Sequence, residues 1–136
     1  MASVVEERVL LTRGFLLGTT AGNNGPPGSA ATITIFDSTA AGYTSWLSGL
    51  PFERVQLNVY SSHDSGASGV VFSSSFDRGT NFRTQDADTY LNADGPTTFD
   101  YLIKGGHFKL AYTNSANVLT SWEMELFACY DRNPGS

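Results

Sequence analysis

The feature that most constrains this chain is the run His107-Phe-Lys-Leu-Ala-Tyr-Thr-Asn-Ser-Ala-Asn-Val-Leu-Thr-Ser-Trp-Glu-Met-Glu-Leu-Phe-Ala-Cys129. Two apolar-rich stretches flank residues 113–117, and in each the side chains alternate in character along the chain. Successive side chains of a strand point to opposite faces, so a period of two calls for a sheet with one buried face. Asn suits the intervening turn because its short amide tolerates left-handed backbone and bonds locally, and the run is expected to form a hairpin. Phe108, Leu110, Tyr112, Trp122, Met124 and Leu126, together with Phe82, are spaced to pack between two sheets, where each buried side chain contributes about 1.5–3 kcal/mol. Asn114 is expected to form the turn.

The rest of the chain repeats this pattern in shorter pieces. Residues 31–36 read as a strand from their β-branched alternation, and residues 52–60 as another, with Val55, Leu57 and Val59 inward and Arg54, Gln56 and Asn58 outward. Residues 70–76 form a further strand that turns back at 77–81 toward Phe82, a second hairpin. Residues 97–103 and 107–112 follow, separated by Lys104-Gly-Gly, and residues 118–130 close the series before a Pro-containing tail. Residues 61–69 read as a polar loop, residues 18–29 as the longest break because Gly, Asn and a Pro pair cluster there, and residues 42–47 as ambiguous. About eight short strands at this spacing predict an all-β fold, an antiparallel β-sandwich or jelly roll, with residues 1–136 as one domain.

Residues 4–17 carry an apolar-rich pattern that fits an extended strand with a break at Gly14. Two readings stand for them, a core strand or an arm laid on a neighbouring subunit. On the second, the partner-binding residues are Val9, Leu10, Leu11, Phe15, Leu16 and Leu17, continued by Asn23, Asn24, Pro26 and Pro27 in the following loop.

With 136 residues the chain can bury a core unaided, since a domain this long hides roughly two-thirds of its unfolded surface. Its formal net charge is -5 and its eight basic residues are scattered from Arg8 to Arg132, so nucleic acid is not expected as a partner. Only 15% of residues are charged, a composition suited to strands and tight turns rather than exposed helices. Cys129 is the single cysteine, which excludes an intrachain disulfide and fits a buried apolar thiol. The acidic start lacks the pattern of a signal peptide, and no apolar run reaches the ~18 residues of a membrane span, so neither export nor a membrane is expected.

Candidate chemistry is thin. His63-Asp64 lies among serines, but Gly66-Ala-Ser-Gly-Val lacks the Gly-x-Ser-x-Gly elbow that would position a nucleophile, and no catalytic residue is assigned. Residues 86–95 read as one loop, and its Asp86, Asp88, Asn92 and Asp94 are the best oxygen donors for Ca²⁺, although Tyr90 occupies a ligand position and no Glu closes the loop. No metal or cofactor is therefore expected. Tyr43, Trp46 and Tyr60 are the aromatics available for stacking on a sugar.

One longer pattern goes further. Ser73-Ser-Ser-Phe-Asp-Arg-Gly-Thr-Asn-Phe82, followed by the stretch from Gly106 to Leu126, resembles a β-sandwich module of structural proteins of tailed bacteriophages. There a strand ends in a Ser-x-Asp-Gly-x-Asn-Trp turn, and a Tyr-Phe-x-Val-x-Tyr-Thr-Asn-Gly hairpin leads into Thr-Ser-Phe-x-Leu. Here Phe82 stands for the turn aromatic, His107 for the first hairpin aromatic and Ser115 for the Gly, while Arg78 is inserted in the first turn. The resemblance covers roughly the C-terminal half, and its shared positions are core and turn residues rather than ligands. It implies a non-enzymatic virion protein assembled in the host cytoplasm. The expected form is a head decoration or cement protein that binds the major capsid protein lattice as a homo-oligomer, with a trimer preferred. The alternative is a tail or fibre module that binds host-surface carbohydrate.

Overall fold

The computed structural model describes residues 5–17, 20–23, 25–39 and 53–132. These contain nine strands: β1 (Val5–Leu17), β2 (Thr20–Asn23), β3 (Thr32–Asp37), β4 (Arg54–Ser61), β5 (Ser65–Ser75), β6 (Arg83–Asp88), β7 (Thr97–Leu102), β8 (His107–Asn114) and β9 (Ser121–Arg132). A single 3-10 turn, Asn92–Asp94, precedes β7. The strands form a five-stranded sheet, ordered β2-β1-β9-β4-β7, and a four-stranded sheet, ordered β3-β8-β5-β6. Every pairing is antiparallel. The protein is an all-β sandwich, as the alternation predicts.

Burial follows the period of two. In β4 and β8 half-buried and buried residues alternate without interruption. Val55, Leu57 and Val59 of β4 face Phe108, Leu110 and Tyr112 of β8 across one core, closed by Trp122, Met124 and Leu126 of β9. Aromatic rings join the layers: Phe72 of β5 stacks on Tyr101 of β7 at 5.0 Å, and Tyr112 of β8 meets Trp122 of β9 edge-on at 4.8 Å. Edge-on and offset contacts of this kind satisfy the ring quadrupoles better than a flush sandwich does. Phe82, expected between the sheets, instead lies half-buried on the outside, beneath the Lys109 ammonium at 4.6 Å.

The run from His107 to Cys129 is not a hairpin. β8 belongs to the four-stranded sheet and β9 to the five-stranded sheet, so residues 115–120 carry the chain from one layer to the other. A crossing between layers and a hairpin both leave one buried face on each strand, which is why alternation alone does not distinguish them. Asn114 is correspondingly no exposed turn former. It is buried, and its Nδ2 donates to the carbonyl oxygens of Gly28 and Asn117 at 3.2 and 2.8 Å, clamping the crossing to the segment that leads into β3. The expected hairpin at 77–81 does form, between β5 and β6.

Three expected loops contain strand. β2 lies inside residues 18–29 and pairs with the end of β1, from Gly14 opposite Asn23 to Leu17 opposite Thr20. β5 begins at Ser65, opposite Asn114, with an irregularity before Val70, and β6 extends through Asp88. In each case backbone pairing is supplied by a neighbouring strand, so residues of low β propensity still enter the ladder. The break expected at Gly14 falls instead at Leu11: the register with β9 shifts between Leu10 and Thr12, while Gly14 stays opposite Met124. The bulge leaves Leu11 packed against the core.

The pairs β1–β9, β3–β8, β4–β7 and β5–β6 are nested, each enclosing the next in sequence. β4 also pairs with β9, and β5 with β8, which rolls this long ribbon into two layers.

Candidate functional site

The outward side chains of the five-stranded sheet form rows that cross β1, β9, β4 and β7, set by the strand register. In the rows nearest the chain termini these side chains bond to one another. Arg8 donates to Gln56 Oε1 at 3.1 Å and covers the Phe127 ring at 4.5 Å, while Arg54 pairs with Asp100 at 2.7 Å. One row further along, Thr98 Oγ1 donates to Asn58 Oδ1 at 2.7 Å, and Asn58 Nδ2 donates to Glu125 Oε1 at 3.0 Å. The last row consists of Phe15, Glu123 and Tyr60, directly opposite one another on β1, β9 and β4.

That last row is open. Among the described residues Glu123, Arg13 and the Tyr60 hydroxyl have no hydrogen-bond or ion-pair partner. A groove of about 640 Å³ runs over the row, bounded by Arg13, Phe15, Tyr60, Thr98, Glu123 and Glu125. Phe15 and Tyr60 are half-buried, whereas Glu123, Glu125 and Arg13 are exposed.

A second surface lies at the end of the sandwich formed by the β5–β6 and β7–β8 turns. Phe76 is 71% exposed and Leu102 57% exposed. The turn behind Phe76 is tightly organised: Asp77 accepts from the Asn81 amide at 2.8 Å and side chain at 2.7 Å, and from the Ser75 hydroxyl at 2.7 Å. These bonds favour the ionised carboxylate and lower its pKa to about 2. The β7–β8 turn lies against this one, because a Cβ on Gly105 would collide with the Ser75 carbonyl. Arg78 and Lys104 lie in these two turns and Arg83 begins β6, while Lys109 on β8 pairs with Asp37 at 3.9 Å. The turns at the opposite end carry Asp64 and Asp94 and no Lys or Arg.

The residues singled out from the sequence are dispersed. Residues 5–17 form β1, paired along β9 and, near its end, with β2, so within this chain they are a sheet strand. Of the ten partner-binding residues, Phe15 lies in the open row and Leu10 on the same outer face, opposite Phe127. Val9 is half-buried opposite Ala128, and Leu11 and Leu16 pack against the core. Pro27 is fully buried and Pro26 half-buried, which leaves them little contact surface. Leu17 and Asn23 pair through their backbones in β1 and β2, and Asn24 lies outside the described residues, as do Tyr43 and Trp46.

The four expected oxygen donors do not share a loop. Asp86 and Asp88 lie on β6, where Asp88 accepts from the Tyr101 hydroxyl at 2.9 Å. Asn92 and Asp94 form the 3-10 turn, and the Asn92 side chain donates to the Ser61 carbonyl at 2.6 Å. Among the described residues no group of three or more His, Cys, Asp or Glu side chains is placed to hold a metal. Asp64 accepts from the Asn92 amide at 2.8 Å. Cys129 is buried.

Sequence reading missed Glu123, Glu125 and Arg13 as a group, and Phe76 with its basic neighbours. The signal for the first was the Trp122-Glu-Met-Glu-Leu alternation, which puts both carboxylates on the outer face of β9. Comparison with protein-family models, with curated proteins and with solved structures found no match.

Proposed function

We propose that this chain is a non-enzymatic structural protein of a bacteriophage virion, a decoration protein that binds and stabilises the major capsid protein lattice and associates as a trimer. The observation that carries the reading is the resemblance of 73–82 and 106–126 to the phage β-sandwich module. The nested strand pairs support its finer form, a jelly roll, because that connectivity is one long antiparallel ribbon rolled up. For the contact with the lattice, the end bearing Phe76 is the best-suited surface: an exposed apolar anchor on a pre-organised turn loses little freedom on docking. Arg78 and Lys104 in its turns suit an acidic partner surface.

Purified protein added to capsids lacking it should co-sediment with them and raise the temperature at which they disrupt. If it stays in the supernatant and the disruption temperature does not move, the reading fails. A second reading, a tail or fibre module for host-surface carbohydrate, is favoured by the open row of Phe15, Glu123 and Tyr60.

A further inference from the structure

We propose that the groove over Phe15, Glu123 and Tyr60 binds a neutral oligosaccharide, held by Arg13, Glu123 and Glu125 and seated against the two aromatic rings. The inference rests on the carbohydrate reading for its ligand class, but not on where the protein sits in a virion. Three features of the groove select this class.

The uncommitted polar groups are of both kinds. Arg13 is a donor only, and Glu123 and the second oxygen of Glu125 are acceptors only. A cationic ligand would meet the Arg13 guanidinium, and an anionic one would meet two carboxylates. A hydroxyl donates and accepts through the same atom, so a neutral ligand carrying several hydroxyls can satisfy all three.

The aromatic residues flank the central acid. Phe15 and Tyr60 are both register partners of Glu123, one on each neighbouring strand, so an apolar ligand face can lie against a ring while its hydroxyls reach the carboxylate. Such a combination of ring surface and a few placed polar groups is what a small-ligand site requires.

The second acid, Glu125, is also pre-oriented. The Thr98 hydroxyl holds Asn58, whose amide holds Glu125 Oε1, leaving the other oxygen to the groove. Four strands, β1, β9, β4 and β7, contribute lining residues, a breadth of about 14 Å at the usual spacing, which suits two or three sugar rings better than one.

The test is a titration of the isotope-labelled full chain, followed by amide chemical shifts, with maltotriose, cellotriose, chitotriose and mannotriose in turn. At least one should give saturable shifts centred on β1, β9 and β4. Tyr60→Ala and Glu123→Gln should each weaken that binding at least tenfold, while Val118→Ser, at the crossing between β8 and β9, leaves it unchanged. Both groove side chains lie on the solvent face of the sheet, and an unchanged thermal melt will show that the variants still fold. Silence with all four sugars overturns the inference. So does binding that survives Tyr60→Ala combined with Glu123→Gln, or tighter binding of trilysine or triglutamate than of any sugar. Capsid co-sedimentation is measured on the same preparation: a protein that joins capsids and ignores every sugar sinks this inference and leaves the decoration reading standing, and the converse sinks the decoration reading alone.

Discussion

The two ends of the sandwich use similar turn residues, rich in Ser, Asn and Gly, for opposite purposes. At the end where the chain crosses from β8 to β9, the polar groups are drawn inward. Asn114 is buried and clamps two segments, Tyr90 donates from its hydroxyl to the Gly95 carbonyl at 3.0 Å, and Gly25 sits so close to the Trp122 indole that any Cβ would collide with it. In the β5–β6 turn at the other end, Asp77 instead bonds to Ser75 and Asn81 of the same turn, and Phe76 beside it stays exposed. Turn composition therefore does not reveal whether a turn closes the core or presents a surface. What decides is whether its hydrogen bonds run to distant segments or stay within the turn.

Removing the plug of the closed end should have the largest effect. Trp122 is fully buried, edge-on to Tyr112, and fills the space beneath Gly25. Trp122→Ala should cost about 3–5 kcal/mol of stability through lost burial and the cavity left behind, read as the shift in a urea or guanidinium midpoint. A loss under about 1 kcal/mol, in the range of an ordinary surface change, would mean that this end is not closed by its core side chains.

How much of this was legible follows from the kind of signal each region carries. The strands at 54–61, 107–114 and 121–132 were readable because their alternation reports burial directly, and burial follows that pattern over 54–61, 107–114 and 121–128. The partner of each strand was not readable. β9 lies between β1 and β4, both far away in sequence, and nothing in the 107–129 run distinguishes that arrangement from a hairpin with β8. Thr20–Asn23 and the start of β5 were read as loop because Gly and Ser enter a ladder through backbone alone, without a side-chain pattern. The same limit governs the candidate groove. Phe15 drew notice as part of an apolar segment and Tyr60 as an aromatic, but Glu123 becomes their neighbour only through the register of three strands.

A smaller effect tests whether the exposed turn is self-contained. Asp77 is held ionised by Asn81 and Ser75, with its pKa lowered from 3.8 to about 2. Because the folded value lies below the unfolded one, the stabilisation is fully present above about pH 3.8 and disappears as the pH falls through about 2. The Asp77 carboxyl resonance should titrate near pH 2, and Asp77→Asn should flatten that part of the stability profile. Loss of order in that variant should stay within residues 75–82. If the shift changes spread to β8 or β9, the turn is tied to the core after all.

The smallest effect on stability carries the most information about the contact surface. Phe76 is 71% exposed, so Phe76→Ser removes little packing and should change stability by no more than about 0.5 kcal/mol, as for surface substitutions generally. On the decoration reading, the same substitution should weaken capsid binding by about 1–2 kcal/mol, roughly tenfold in affinity, since a pre-ordered aromatic anchor loses its full burial on truncation. Arg78→Ala should weaken binding less and make it less sensitive to salt, because a charge at the rim acts mainly through screened attraction. Equal loss from both, with a fall in melting temperature for Phe76→Ser, would show that Phe76 supports the fold and that this end resembles the closed one more than its exposure suggests.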